Sequence, residues 1–182
     1  MNRLIAIPLL LSCLVLAGCS TYATGRYSIS PDNVVVLRNY ENVRISVGEF
    51  TATEPGLTEL SCRMAMPIQT PDKTTFEEYI RQAFIDEMQI AGIYSEDAPV
   101  ILTGHLDKIS FSSMSGKWYI DLTVTTKGGQ SISVQTIYDY SSSFFGEAAC
   151  NQTAQAFVPA VQELIKSVIL HDEFPEIIRQ DS

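Results

Sequence analysis

Between Thr74 and Tyr140 the spacing of apolar residues switches from a helical to a strand period, and the switch defines the centre of the fold. Phe76, Tyr79, Ile80, Ala83, Phe84, Met88 and Ala91 recur at steps of three and four, which places them on one face of an α-helix. Thr74 and Thr75 each have a glutamate three residues on, Glu77 and Glu78, so either predicts a capping box. Gly92 followed by Ile93 predicts the stop. From Val100 the period falls to two. Val100, Leu102, Gly104 and Leu106 share one parity and Ile109 and Phe111 the other, which predicts a strand bulged near Asp107-Lys108. Trp118, Ile120, Leu122 and Val124 alternate with Tyr119, Asp121, Thr123 and Thr125, and Gly128-Gly129 predicts a tight hairpin into Ile132, Val134, Thr136, Tyr138 and Tyr140. The three strands predict an antiparallel meander with one apolar and one wet face.

The flanks are less periodic. Asn33 to Leu37 and then Val43, Ile45 and Val47 predict one long irregular strand or two short ones joined near Asn39-Tyr40-Glu41-Asn42. Thr51 to Lys73 contains Pro55, Gly56, Pro67 and Pro71 and predicts a loop. Glu147 to Leu170 predicts a second helix, with Phe157, Val161, Leu164, Ile165 and Val168 on one face and a kink or break at Pro159. The order is that of an α+β fold: a mainly antiparallel sheet of about four strands with two helices packed on one face, β-α-β-β-β-α, spanning 33–170. Residues 20–32 are polar and predict a tether, and 171–182 a short tail.

The N-terminus opens with Arg3, continues as an apolar run from Leu4 to Ala17 and places small residues before Cys19. That is the order of a secretory signal, and its length of about 14 residues falls short of the roughly 20 that cross a bilayer. Leu16-Ala17-Gly18-Cys19 resembles the lipobox of bacterial lipoproteins. The resemblance implies that 1–18 is removed, that Cys19 carries a diacylglyceryl group and an N-acyl chain such as palmitate, and that Ser20 sorts the protein to the outer membrane, facing the periplasm. More than one acyl chain suffices for stable anchoring. Ordinary secretion with Cys19 as a free thiol is the alternative. The thirteen residues 20–32 then form a tether reaching at most about 45 Å.

The element order also resembles the lipopolysaccharide-assembly lipoprotein, the auxiliary lipoproteins of ABC transporters and the N-terminal domain of TolB. The stretches around Phe76-Glu77-Glu78-Tyr79-Ile80-Arg81 and Ala149-Cys150 are similar to those of uncharacterised proteobacterial lipoproteins. These likenesses imply a fold and an address, since one fold hosts many activities.

With the signal removed, 11 of the 12 basic side chains face 21 acidic ones, a formal balance of −10. A surface this acidic disfavours nucleic acid and the phosphates of anionic lipids, unless the few lysines and arginines cluster. Cys13 leaves with the signal and Cys19 takes the lipid, so Cys62 and Cys150 remain together in an oxidising compartment and predict a disulfide. Two buried thiols or a redox-active pair are the other readings.

Candidate chemistry is sparse. His105 and Asp107 stand two apart on a predicted strand and could form a hydrolase's base and its orienter, but no Ser or Cys in a recognisable motif accompanies them, and a solvated sheet face is the preferred reading. His171, at the end of the second helix, suits a dipole cap. Asp86-Glu87 and Asp172-Glu173 are adjacent on or beside helices, diverge, and read as solvated charge rather than metal ligands. No metal or other cofactor is expected. Tyr119, Tyr138 and Tyr140, with Phe144 and Phe145, could form an aromatic surface for a partner. The sequence therefore suggests a non-enzymatic lipoprotein, held to the membrane by its lipid, whose domain binds an envelope protein through the sheet face or a sheet edge. A carrier of lipid or another apolar ligand for a transport system, with a cavity between helices and sheet, is the alternative.

Overall fold

The computed structural model describes residues 22–63 and 66–179. In chain order the elements are β1 (Tyr22–Ala23), α1 (Pro31–Leu37), β2 (Ile45–Ala52), β3 (Glu59–Cys62), β4 (Met66–Gln69), α2 (Phe76–Ala91), β5 (Val100–Ser112), β6 (Lys117–Thr126), β7 (Ser131–Asp139), α3 (Gly146–Gln155), α4 (Phe157–Ile169) and α5 (Phe174–Ile177). The main sheet has the order β2-β5-β6-β7, with β2 parallel to β5 and the other pairs antiparallel. A small sheet has the order β1-β4-β3. Helix α2 packs on β2 and β5, and α4 on β6 and β7, while α1 touches both helices. The architecture is α+β, as the periodicity predicts.

The periodic elements lie where their patterns put them. Thr75 caps α2, its hydroxyl accepting the Glu78 N–H, and Gly92 ends the helix at φ 81°. The reciprocal half of a capping box is absent, because the Glu78 carboxylate accepts from Arg81 instead and that of Glu77 accepts from the Gly56 N–H. The β5–β6 register shifts between Leu106 and Lys108, at the expected bulge. Inward residues of the meander interlock with the helices. Trp118 is fully buried, 5.0 Å from Phe111 and Phe157, and its indole N–H donates to the Thr153 carbonyl at 2.9 Å. Burying each such ring contributes on the order of 1.5 to 3 kcal/mol. Phe50 lies across Gly104, where a Cβ would sit 2.6 Å from its ring.

Four expectations are corrected. Asn33–Leu37 is helix: the Ser30 hydroxyl accepts the Asn33 N–H and Pro31 starts the turn, and the i, i+3 pair Val34 and Leu37 is buried, so capping and packing override the β-preference of three valines. Thr51–Lys73 contains strands. β2 runs on to Ala52, and β3 and β4 pair Glu59 with Gln69 through Cys62 with Met66, strands too short for a period to show. The tether is fixed from Tyr22 onward, since β1 adds parallel to β4 and the Thr24 N–H donates to the Gln69 carbonyl at 2.8 Å. The tail is docked too: Phe174, Ile177 and Ile178 are buried, with Phe174 edge-on to Tyr40 at 5.4 Å. The second helix breaks at Ala156, and Pro159 occupies the first turn of α4, where its missing N–H has no partner to lose.

Candidate functional site

Cys19 and the rest of the lipobox lie outside the described residues. The other two cysteines are joined: Cys62 and Cys150 form a disulfide, with Cα atoms 6.0 Å apart, that ties the end of β3 to α3. Both are buried.

His105 and Asp107 share the wet face of β5 but do not meet. Thr51 Oγ1 lies 2.8 Å from His105 Nδ1 and Thr53 Oγ1 3.2 Å from Nε2, so each ring nitrogen has a threonine hydroxyl as its partner. Asp107, at the bulge, accepts from Thr123 Oγ1 at 2.9 Å. The arrangement is a threonine-lined sheet face.

The three tyrosines are also separated. Tyr119 projects from the wet face, where the Lys108 ammonium stands 5.8 Å from its ring centroid. Tyr138 and Tyr140 pack against the core, and the Tyr140 hydroxyl lies 2.7 Å from Thr153 Oγ1 on α3. Burial raises the Tyr140 hydroxyl above its ordinary pKa, against that hydrogen bond and the Arg63 charge. No single surface displays all three.

What the sheet does display is an open edge. The Thr126 N–H donates to the Gln130 carbonyl at 2.9 Å and the Tyr140 N–H to the Gly116 carbonyl at 2.8 Å. Antiparallel ladders alternate between bonded and non-bonded pairs, and β6 and β7 stay in register without a shift. The even-numbered residues of β7 therefore direct their backbone groups to β6, and Ser131, Ser133, Gln135, Ile137 and Asp139 direct theirs outward. Among the described residues those outward groups bond no other segment. Their side chains are exposed as well, Ile137 at 56%. The opposite edge is blocked: Arg81 donates from Nε to the Gly48 carbonyl at 2.7 Å, Ile45 bridges to Tyr94, and the β2–β5 register shifts between Val47 and Phe50.

Sequence reasoning missed Glu87, which is fully buried rather than solvated. Its Oε1 accepts from the Tyr27 hydroxyl at 2.5 Å and the Ser30 N–H at 2.8 Å. Burial raises its pKa, against hydrogen bonds from Tyr27, Ser30 and Asn33 that lower it. Burial first, and then Glu87, push the Tyr27 hydroxyl up. Glu87 Oε2 and Asn33 Oδ1 are both buried without a hydrogen-bond partner among the described residues. The helical spacing gave a hint, since Glu87 falls between Ala83-Phe84 and Ala91 on the apolar side of α2.

Among the described residues no cluster of three or more His, Cys, Asp or Glu could hold a metal ion, and no helix is long and apolar enough to cross a membrane. Phe50, Phe76, Phe84, Trp118 and Phe157 fill the space between helices and sheet. A pocket of about 340 Å³ opens at the end of the sheet, lined by Pro99, Thr126, Lys127, Gln130, Ile177 and Arg179 among others.

No family model matches the chain, and neither does any curated protein sequence. The fold is similar to the crystal structure of protein XCC0632 from Xanthomonas campestris, of family DUF330, with a TM-score of 0.55 and 11% identity over 86% of this chain and 99% of that one. At that identity the likeness concerns the fold.

Proposed function

We propose that the chain is a non-enzymatic outer-membrane lipoprotein whose periplasmic domain binds an extended segment of an envelope protein along the free edge of β7. The observation that carries the reading is the edge itself: nine residues without a bulge or a proline and, among the described residues, without a covering segment, with outward backbone groups at alternate positions. Proteins ordinarily blunt such edges, and strand addition supplies affinity through main-chain hydrogen bonds. The lipobox supplies the address and the acidic balance disfavours polyanionic ligands.

A photo-crosslinking residue at Ser133 of the full chain in cells should yield a discrete protein adduct, and the same residue at Glu49 on β2 should not. Gln135→Pro removes one outward N–H without touching the β6 ladder, and should abolish the Ser133 adduct. Equal adducts at both edges, or an adduct indifferent to Gln135→Pro, would reject the assignment.

A further inference from the structure

The three most exposed large apolar side chains among the described residues are Phe144 at 86%, Phe145 at 76% and Met114 at 75%. Phe144 and Phe145 are neighbours and Met114 lies thirty residues before Phe144, and the two segments are brought together at one end of the molecule. Arg63, in the turn after β3, is the hub. Its guanidinium donates to the Phe144 carbonyl at 2.7 Å, the Ser143 carbonyl at 3.2 Å and the Ser113 carbonyl at 3.0 Å, and its Nε to Ser113 Oγ at 3.1 Å. The Ser142 hydroxyl adds a bond to the Ser113 carbonyl at 2.5 Å. The β5–β6 turn bearing Met114 and the loop bearing Phe144 and Phe145 are thus fixed side by side, and the two phenylalanine rings stand 6.2 Å apart.

The start of the described chain points to the same end. β1 is parallel to β4, with Tyr22 opposite Ile68, so the N-terminal end of β1 lies on the side where β4 starts, after the Arg63 turn. β1 also packs on α3, whose first residue, Gly146, follows Phe145 and lies against the Arg63 side chain. Only Ser20 and Thr21 lie between Cys19 and Tyr22, three steps of chain that reach at most about 11 Å.

We propose that Met114, Phe144 and Phe145 form a membrane-contacting tip that inserts into the bilayer interface beside the lipidated Cys19. Apolar and aromatic side chains at an exposed loop tip partition into the headgroup boundary, and a second contact adds to an acyl anchor. With the anchor on one side and the tip on the other, the domain is held in a fixed orientation instead of swinging on a tether. The idea rests on the lipoprotein reading for the anchor, while the tip's own contact with lipid is measured separately.

The test uses the full chain, purified from membranes and reconstituted into phosphatidylethanolamine–phosphatidylglycerol vesicles containing lipids brominated on the upper acyl chain. Trp118, fully buried, is the only native tryptophan and gives the background. Phe145→Trp should add emission that is blue-shifted and quenched about twofold by the brominated lipid, as expected for a ring at the acyl boundary. Ile137→Trp, on the β7 edge, should add emission that is not quenched. Mass analysis reports acylation of Cys19 independently. Acylated protein whose Phe145→Trp emission is unquenched would overturn the tip while leaving the anchor intact. Should Cys19 carry no lipid, vesicles are added to the same variants: quenching at residue 145 alone upholds the tip, and its absence overturns it.

Discussion

The two edges of the main sheet are built from similar material and have opposite fates. Each lies over a helix, α2 beneath β2 and α4 beneath β7. On the β2 side the helix reaches around the edge, because Arg81 is long enough to deliver its guanidinium to the carbonyls of Gly48 and Val47. On the β7 side the contact stays inside, where Ser167 Oγ meets Thr136 Oγ1 at 3.5 Å. One edge is closed by a side chain and a bulge, and the other remains a row of unused backbone groups. A sheet edge is thus made available by what its neighbours fail to reach, a property no strand carries in its own residues.

That contrast can be broken at several points. The largest effect should come from replacing Cys62 and Cys150 with alanine. The bond closes a span of 88 residues, and its loss should cost up to about 4 to 5 kcal/mol of stability on the chain-entropy view. Because it clamps β3 to α3 rather than either edge, urea denaturation should show the whole domain weakened, and the Ser133 crosslink should survive under conditions where the variant is folded. Arg81→Ala should convert the closed edge into an open one. It strips donors from two carbonyls and should cost about 1 to 3 kcal/mol, and a photo-crosslinker at Glu49, silent in the native chain, should then yield a protein adduct. A variant still silent at Glu49 would mean that the bulge alone closes β2.

Glu87 tests how the helix behind the closed edge is held. It lies on α2, six residues after Arg81, and binds the segment before α1 through Tyr27 and Ser30. Its folded-state pKa is raised above the ordinary 4.5. The folded form therefore holds the proton more tightly than the unfolded form, and the stability this gives is full below about pH 4.5 and is lost as pH rises through the folded value. Glu87→Gln has no such titration, so its stability relative to the native chain should increase with pH across that window in denaturant titrations. A difference independent of pH would show that Glu87 titrates alike in both states. The smallest effect on stability belongs to Gln135→Pro, less than about 1 kcal/mol because it breaks no ladder bond, although it should abolish partner contact at β7.

Long amphipathic stretches were legible because a single face is buried over many residues. Helix α2 and strands β5 to β7 follow directly from the spacing of Phe76 to Ala91 and Val100 to Tyr140, and the bulge at Asp107 shows as a change of parity. Short elements were not legible. β1, β3 and β4 hold two to four residues, fewer than a period needs, and α1 reads as a strand until Ser30 and Pro31 are recognised as its cap and first turn. The Tyr119, Tyr138 and Tyr140 grouping misplaced Tyr138, whose even parity on β7 already assigned it to the inner face with Ile132 and Val134.

The sequence alone determined the α+β class, the strands of the meander with their bulge, the pairing of Cys62 with Cys150 and the net acidity, because periodicity and composition are local or additive. Only the tertiary structure decided which edge stays open, that Glu87 is buried, and that Arg63 binds the carbonyls of Ser113 and Phe144 and so holds the Met114 turn near the Phe144 loop. Those depend on how far Arg81 and Arg63 reach across the fold, and a distance between segments 33 to 81 residues apart is written in no single stretch of chain.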